Sequence, residues 1–113
     1  MGDLSVDHLH APGAKEQEGK PRAALVLGDF ANALLEVSKV GTFGAYKYSE
    51  HGWTVTPDGV NKYDDAMLRH WLYEHAGHTH DSQTHLLHAA HTAWNALARL
   101  EFLIQEQNAL PKK

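Results

Sequence analysis

Histidine is the residue type through which this chain could do chemistry. Ten of its 113 residues are histidine, and His70, His75, His78, His80, His85, His88 and His91 all fall within one segment of 22 residues. Neutral imidazole binds divalent metals, and its proton exchanges near neutral pH. His85 and His88 stand three residues apart and His88 and Asn95 seven apart, so a helix would present them to one surface on successive turns. With Asp81 just upstream, this spacing suits a divalent metal site: His85 and His88 are the expected ligands, Mg, Mn or Zn the ions considered, and His70 and Asp81 the expected catalytic pair. Two other readings fit the same residues. One is a solvated or interhelix hydrogen-bonding face, and the other is direct substrate binding by imidazole. His75, His78 and His80 crowd a helix end, where interaction with the helix C-terminus suffices to explain them.

The chain has no cysteine, which excludes disulfides, thiol nucleophiles, iron–sulfur clusters and cysteine-held zinc. HExxH is absent, as is a GxxxxGK[ST] phosphate loop, and the single His-Asp dipeptide is His80-Asp81. Lys20, Arg22, Lys47 and Arg69 are the cations expected to meet phosphate, because an acidic protein that handles a polyanion must supply positive charge locally. Tyr46, Tyr48 and Trp53 are placed to stack on a base, with core packing as the alternative for each, and Asn95 is a further expected substrate contact.

Ten Lys and Arg against 14 Asp and Glu give a net charge of −4, or +6 with every histidine protonated. The acidic balance argues against nonspecific nucleic-acid binding. No run approaches the ~20 apolar residues needed to cross a bilayer and no apolar leader follows Met1, so a cytoplasmic location is expected.

The elements that must position these groups read as helices. Residues 1–19 mix Pro, Gly and charge without periodicity and are expected to form a flexible arm; His8 and His10 lie there. A single α-helical domain is expected over 20–108, followed by a tail at 109–113. Within it, Leu27, Phe30, Ala31, Leu34, Leu35 and Val37 predict an amphipathic helix ending near Gly41. Residues 42–53 are expected to hold a short helix or turn and a loop, and Thr56-Pro57-Asp58-Gly59 a turn. A second helix is predicted from Asn61 or Asp64 to Gly77, with Asp65 and Arg69 paired. The third is predicted from about Gln83 to Gln107, capped by Asp81 or Ser82. On it, His88, His91, Asn95 and Arg99 form a polar stripe within roughly 80°, against a broad apolar remainder that includes Leu97, Leu100 and Ile104. The expectation is an all-α bundle of three main helices plus a short one, with enough apolar surface to form a homodimer.

The order KPR (20–22), TFGAYKY (42–48), Trp53, Arg69-His70, Asp81 and HLLHAAHTAWNALARLE (85–101) resembles a small phage-borne family, the N-terminal domain of dATP/dGTP diphosphohydrolases. The similarity spans about Lys20 to Glu101. It implies an all-α domain of deoxynucleotide metabolism, with Lys47, Tyr48, Arg69, His70, His85 and His88 as the matching functional positions. The paired ExxE and ExxD helices of all-α nucleotide pyrophosphohydrolases are absent, so any metal would rest on histidines and Asp81, assisted by Glu74 or Asp65. Three functions follow: hydrolysis of purine deoxynucleoside triphosphates to monophosphate and pyrophosphate, sequestration of a nucleotide or nucleotide signal in anti-defence, or a dimeric helical interaction protein.

Overall fold

A computed structural model describes residues 19–109. The expected arm, with His8 and His10, lies outside the described residues except for Gly19, and so does the tail beyond Ala109. The described residues form four α-helices and one short 3₁₀ turn, with no strand among them: α1 (Ala23–Gly28), α2 (Ala31–Lys47), the 3₁₀ turn Gly52–Val55, α3 (Gly59–His75) and α4 (His88–Ala109). The all-α architecture of three long helices and a short one is therefore present. The chain divides into two compact units, Met1–Ala31 and Asn32–Lys113. In the first, α1 is a lone six-residue helix with no buried residue.

The first long helix departs from expectation at both ends. The run expected to be continuous from the low twenties breaks at Asp29-Phe30, where Gly28 and Asp29, both poor helix formers, sit together. Helix α2 then passes through Gly41 and Gly44 to Lys47, absorbing most of the segment expected as a separate turn. Gly41 does not stop the helix because it has a packing role. A Cβ at that position would lie 2.9 Å from Trp94 Nε1, so the missing side chain is what lets the α4 indole approach α2. We expect Gly41→Ala to lower stability by about 1 kcal/mol even though alanine is the better helix former, because a packed indole must shift to admit the methyl. Chemical denaturation would read this, and a gain in stability would contradict the contact.

Helix α3 begins at Gly59, earlier than the Asn61 or Asp64 start read from the sequence. Its end is as expected. Gly77 takes φ +103, its N–H donates to the Glu74 carbonyl and the His78 N–H donates to the Tyr73 carbonyl, which is the paired bonding of a Schellman stop. α3 and α4 make the principal helix–helix contact, and the 3₁₀ turn packs on α4. At the far end of this pair Trp53, Tyr63, Trp94 and Phe102 meet mostly edge-to-face, with ring centroids 5.6–6.5 Å apart. The Tyr63 hydroxyl donates to the Trp53 carbonyl at 2.9 Å, tying the turn to α3.

The last helix starts at His88, five residues later than read from the sequence. Asp81, expected with Ser82 as the cap of this helix, instead caps a separate turn that closes on itself. Asp81 Oδ2 accepts the backbone N–H groups of Gln83 and Thr84, the His85 N–H donates to the Asp81 carbonyl, and His85 then takes φ +61, a left-handed conformation that cannot continue a helix. The chain returns through an isolated bridge between His80 and Leu87. Only then does α4 begin.

The polar stripe of α4 faces inward. His88, His91 and Asn95 are buried, and Arg99 Nε lies 3.3 Å from Asp64 Oδ1 on α3. Leu97, Leu100 and Ile104, expected as core, are 48%, 51% and 41% exposed. The expected Asp65–Arg69 pair is not among the ion pairs of the described residues; Asp64 with Arg99 joins the two helices instead.

Candidate metal centre

His70 is supplied by the last turns of α3, His88 by the first residue of α4, and Asp81 by the closed turn between them. Their ligand atoms all lie within 4.8 Å of one another. His70 Nδ1 and His88 Nδ1 are 2.8 Å apart, so one nitrogen carries a proton and donates it to the other's lone pair. His88 is buried, and Asp81 and His70 are half-buried. Asp81 Oδ2 is committed to the two backbone amides at 3.0 and 2.8 Å, which holds the carboxylate in place while neither bond uses Oδ1.

His91 supports this centre from below. Its ring stacks on His70 with centroids 4.3 Å apart and planes 10° from parallel, and its Nε2 lies 2.7 Å from Thr84 Oγ1. The Asn95 amide donates to the His91 carbonyl at 2.8 Å. Tyr73 lies against His88 at 5.4 Å between ring centroids. Burial above all, then the like charge that His91, His88 and Arg69 would add, pushes His70 from its ordinary 6.5 down to about 4, although Asp81 pulls the other way. Burial likewise pushes His91 down, against the pull of Asp81. For Asp81, burial alone would raise the carboxyl, but the hydrogen bonds from the Thr84 and Gln83 amides and the Thr84 hydroxyl, with His91 adding to them, bring it below its ordinary value. At neutral pH His70 and His91 are thus uncharged and Asp81 is ionised. That is the protonation state a metal requires.

The other residues singled out from the sequence separate clearly. His85 is exposed, in its left-handed turn, and is not part of the three-residue group, whereas His70, which the sequence reading assigned to catalysis, is. Lys47, the last residue of α2, donates to Gln83 Oε1 at 3.0 Å, so its ammonium is tethered to the turn that carries Asp81. Gln83 had no signal in the sequence that marked it for this link. Tyr46 and Tyr48 are exposed, Tyr48 with the Lys47 ammonium 5.2 Å from its ring centre. Arg69 is exposed on α3 beside His70. Trp53 takes the packing role in the aromatic cluster, and Asn95 lies in the α3–α4 interior. Lys20 and Arg22 are exposed in the first unit.

The left-handed backbone at His85 gives a direct test of its role. We expect His85→Gly to raise stability by about 0.5–1 kcal/mol, because glycine adopts that conformation without the Cβ penalty, and to leave the three-residue centre intact. A thermal melt with parallel metal titration checks both.

The model of the family described as dATP/dGTP diphosphohydrolase, N-terminal, matches residues 10–111. The chain belongs to that family. No curated protein and no solved structure matches it. Membership agrees with the resemblance carried by the lysine, tryptophan and histidine motifs, and no helix among the described residues is long and apolar enough to cross a membrane.

Proposed function

We propose that this chain is a phage-encoded purine deoxynucleotide pyrophosphohydrolase of the host cytoplasm, converting dATP or dGTP to the monophosphate and pyrophosphate. The observation that carries the reading is the convergence of His70, Asp81 and His88 in a chain of a family described as dATP/dGTP diphosphohydrolases. Lys47 and Arg69 meet the triphosphate, exposed Tyr46 or Tyr48 contacts the base, and Asp81 orients the attacking water. A divalent ion held by this centre would supply Lewis acidity at the α-phosphate. His70 and His91 remain neutral because burial makes protonating them costly. Mixing the protein with dATP and dGTP across a series of divalent metals should release pyrophosphate and monophosphate in equal amounts; rates indistinguishable from blank would reject hydrolysis.

One observation favours a second reading. The centre has a single carboxylate, fewer acidic groups than a two-metal hydrolase site needs, which suits a protein that holds a nucleotide or nucleotide signal without cleaving it. Recovery of intact ligand from the denatured complex would select this reading over the first.

We also infer that the working form is a homodimer. The outward face of α4, Ala89, Ala93, Ala96, Leu97, Leu100 and Ile104, carries no charge over about 24 Å of helix, while the polar side of the same helix is turned inward. An antiparallel second copy would cover this face with itself and bury no charge. Light scattering should give twice the monomer mass, and Leu100→Glu should halve it. A wild-type monomer at micromolar concentration overturns this.

A further inference from the structure

Resting on the reading above, we propose that the centre is a mononuclear site for a divalent transition-metal ion of the zinc or ferrous class, ligated by His70 Nδ1, His88 Nδ1 and the Asp81 carboxylate, and that it does not select magnesium. This differs from the His85–His88 pair that sequence spacing favours. It also narrows the ion.

The donor set decides the class of metal. Two imidazoles and one carboxylate match the preferences of zinc and ferrous iron, whereas magnesium takes oxygen ligands and keeps most of its waters. The number of donors decides the kind of site: three protein ligands leave coordination positions open for water or a phosphate oxygen, and a structural zinc site would be closed by a fourth. The spacing fits as well. Imidazole nitrogens around a tetrahedral ion stand about 3.3 Å apart, so the 2.8 Å contact between His70 and His88 need open by only about half an ångström.

The surroundings hold the donors in register. Asp81 is fixed by the amides of Gln83 and Thr84, and His70 is fixed by stacking on His91. His91 in turn meets the Thr84 hydroxyl, so one threonine braces both the carboxylate and the ring under the first histidine. Each ligand comes from a different element, α3, the closed turn or α4, so a bound ion would clamp these three together and raise the stability of the fold.

The test needs no nucleotide. Zn²⁺, Co²⁺ and Mg²⁺ are titrated into chelator-treated full-length protein by calorimetry, with Co²⁺ also followed by its visible absorption. We expect one tight site per chain, with Zn²⁺ bound at least 10³-fold more tightly than Mg²⁺, and a Co²⁺ spectrum of low coordination number. His70→Asn, His88→Asn and Asp81→Asn should each weaken Zn²⁺ binding by 100-fold or more, while His85→Ala changes it less than 3-fold. A His78→Ala/His80→Ala variant, which removes the exposed HxH pair between α3 and α4, should keep the tight site. The proposal is overturned if the tight site survives the three ligand substitutions or disappears with the HxH pair, or if Mg²⁺ binds as well as Zn²⁺. Because an ill-folded His88 variant would also lose metal, Asp81→Asn, which retains its backbone hydrogen bonds, is the deciding one. Hydrolysis by protein that binds no Zn²⁺ would remove this inference and leave the functional reading standing. Tight Zn²⁺ binding with no turnover would do the reverse.

Discussion

Asp81→Asn is expected to lower the rate of pyrophosphate release by about 10²–10³-fold while leaving the fold within about 1 kcal/mol of wild type. The two effects separate because Asp81 does two jobs. Its Oδ2 accepts the amides of Gln83 and Thr84, and an asparagine side-chain oxygen can accept both, since asparagine caps such turns as well as aspartate does. What asparagine cannot supply is negative charge, the anionic donor to a cation, or a group that draws a proton from water. Asp81→Ala loses both jobs, and its melting temperature should fall by an amount equivalent to a further 1–2 kcal/mol as the turn between α3 and α4 loosens. Measuring turnover and unfolding on both variants checks the division. If Asp81→Asn turns over at the wild-type rate, the carboxylate is only a cap, and the chemistry belongs elsewhere.

How much of this centre could be read from the sequence depends on which physical rule governs each residue. Helix α3 and its stop were legible because Gly77 followed by His78 is a local signal, and its φ of +103 needs nothing from the rest of the chain. The sequence places the end of α2 at Gly41, because the indole that gives this glycine its purpose lies 53 positions away on α4, at Trp94. The start of α4 is hidden from the sequence for a related reason. Asp81 looks like the cap of a long helix, and it does cap, but His85 takes a left-handed conformation that no propensity rule assigns to histidine. That single backbone angle removes His85 from the helical register with His88. The partner of His88 instead comes from α3, at His70, a pairing of two helices that a spacing rule cannot see. Histidine enrichment therefore located the right segment. Only the crossing of α3 with α4 chose which histidines face one another, and the same crossing turned the polar stripe inward and left Leu100 exposed.

His70 and His91 should also make the protein acid-labile well above the range of ordinary carboxylates. His70 is held at about 4 against an ordinary 6.5, so between these values the unfolded chain binds a proton at this position that the folded chain refuses. Stability from His70 is therefore fully present above about pH 6.5 and is lost as the pH falls toward 4. His91, also held below its ordinary value, acts with the same sign. Asp81 is depressed as a carboxylate, and its contribution is lost lower still, once the pH falls through its folded value beneath the ordinary 3.8. Because the His70 ring is partly open to water, its share is roughly 1–2 kcal/mol rather than the full shift. With His91 acting in the same direction, the melting temperature should drop by about 5–15 °C between pH 7 and pH 4.5 at fixed protein concentration. The His70→Asn variant isolates the cause, since it keeps a polar side chain but removes the proton-binding site and should flatten the slope across this window. Equal slopes for variant and wild type would mean that His70 gains its proton without strain in the folded state, and that the α3–α4 crossing does not shield it.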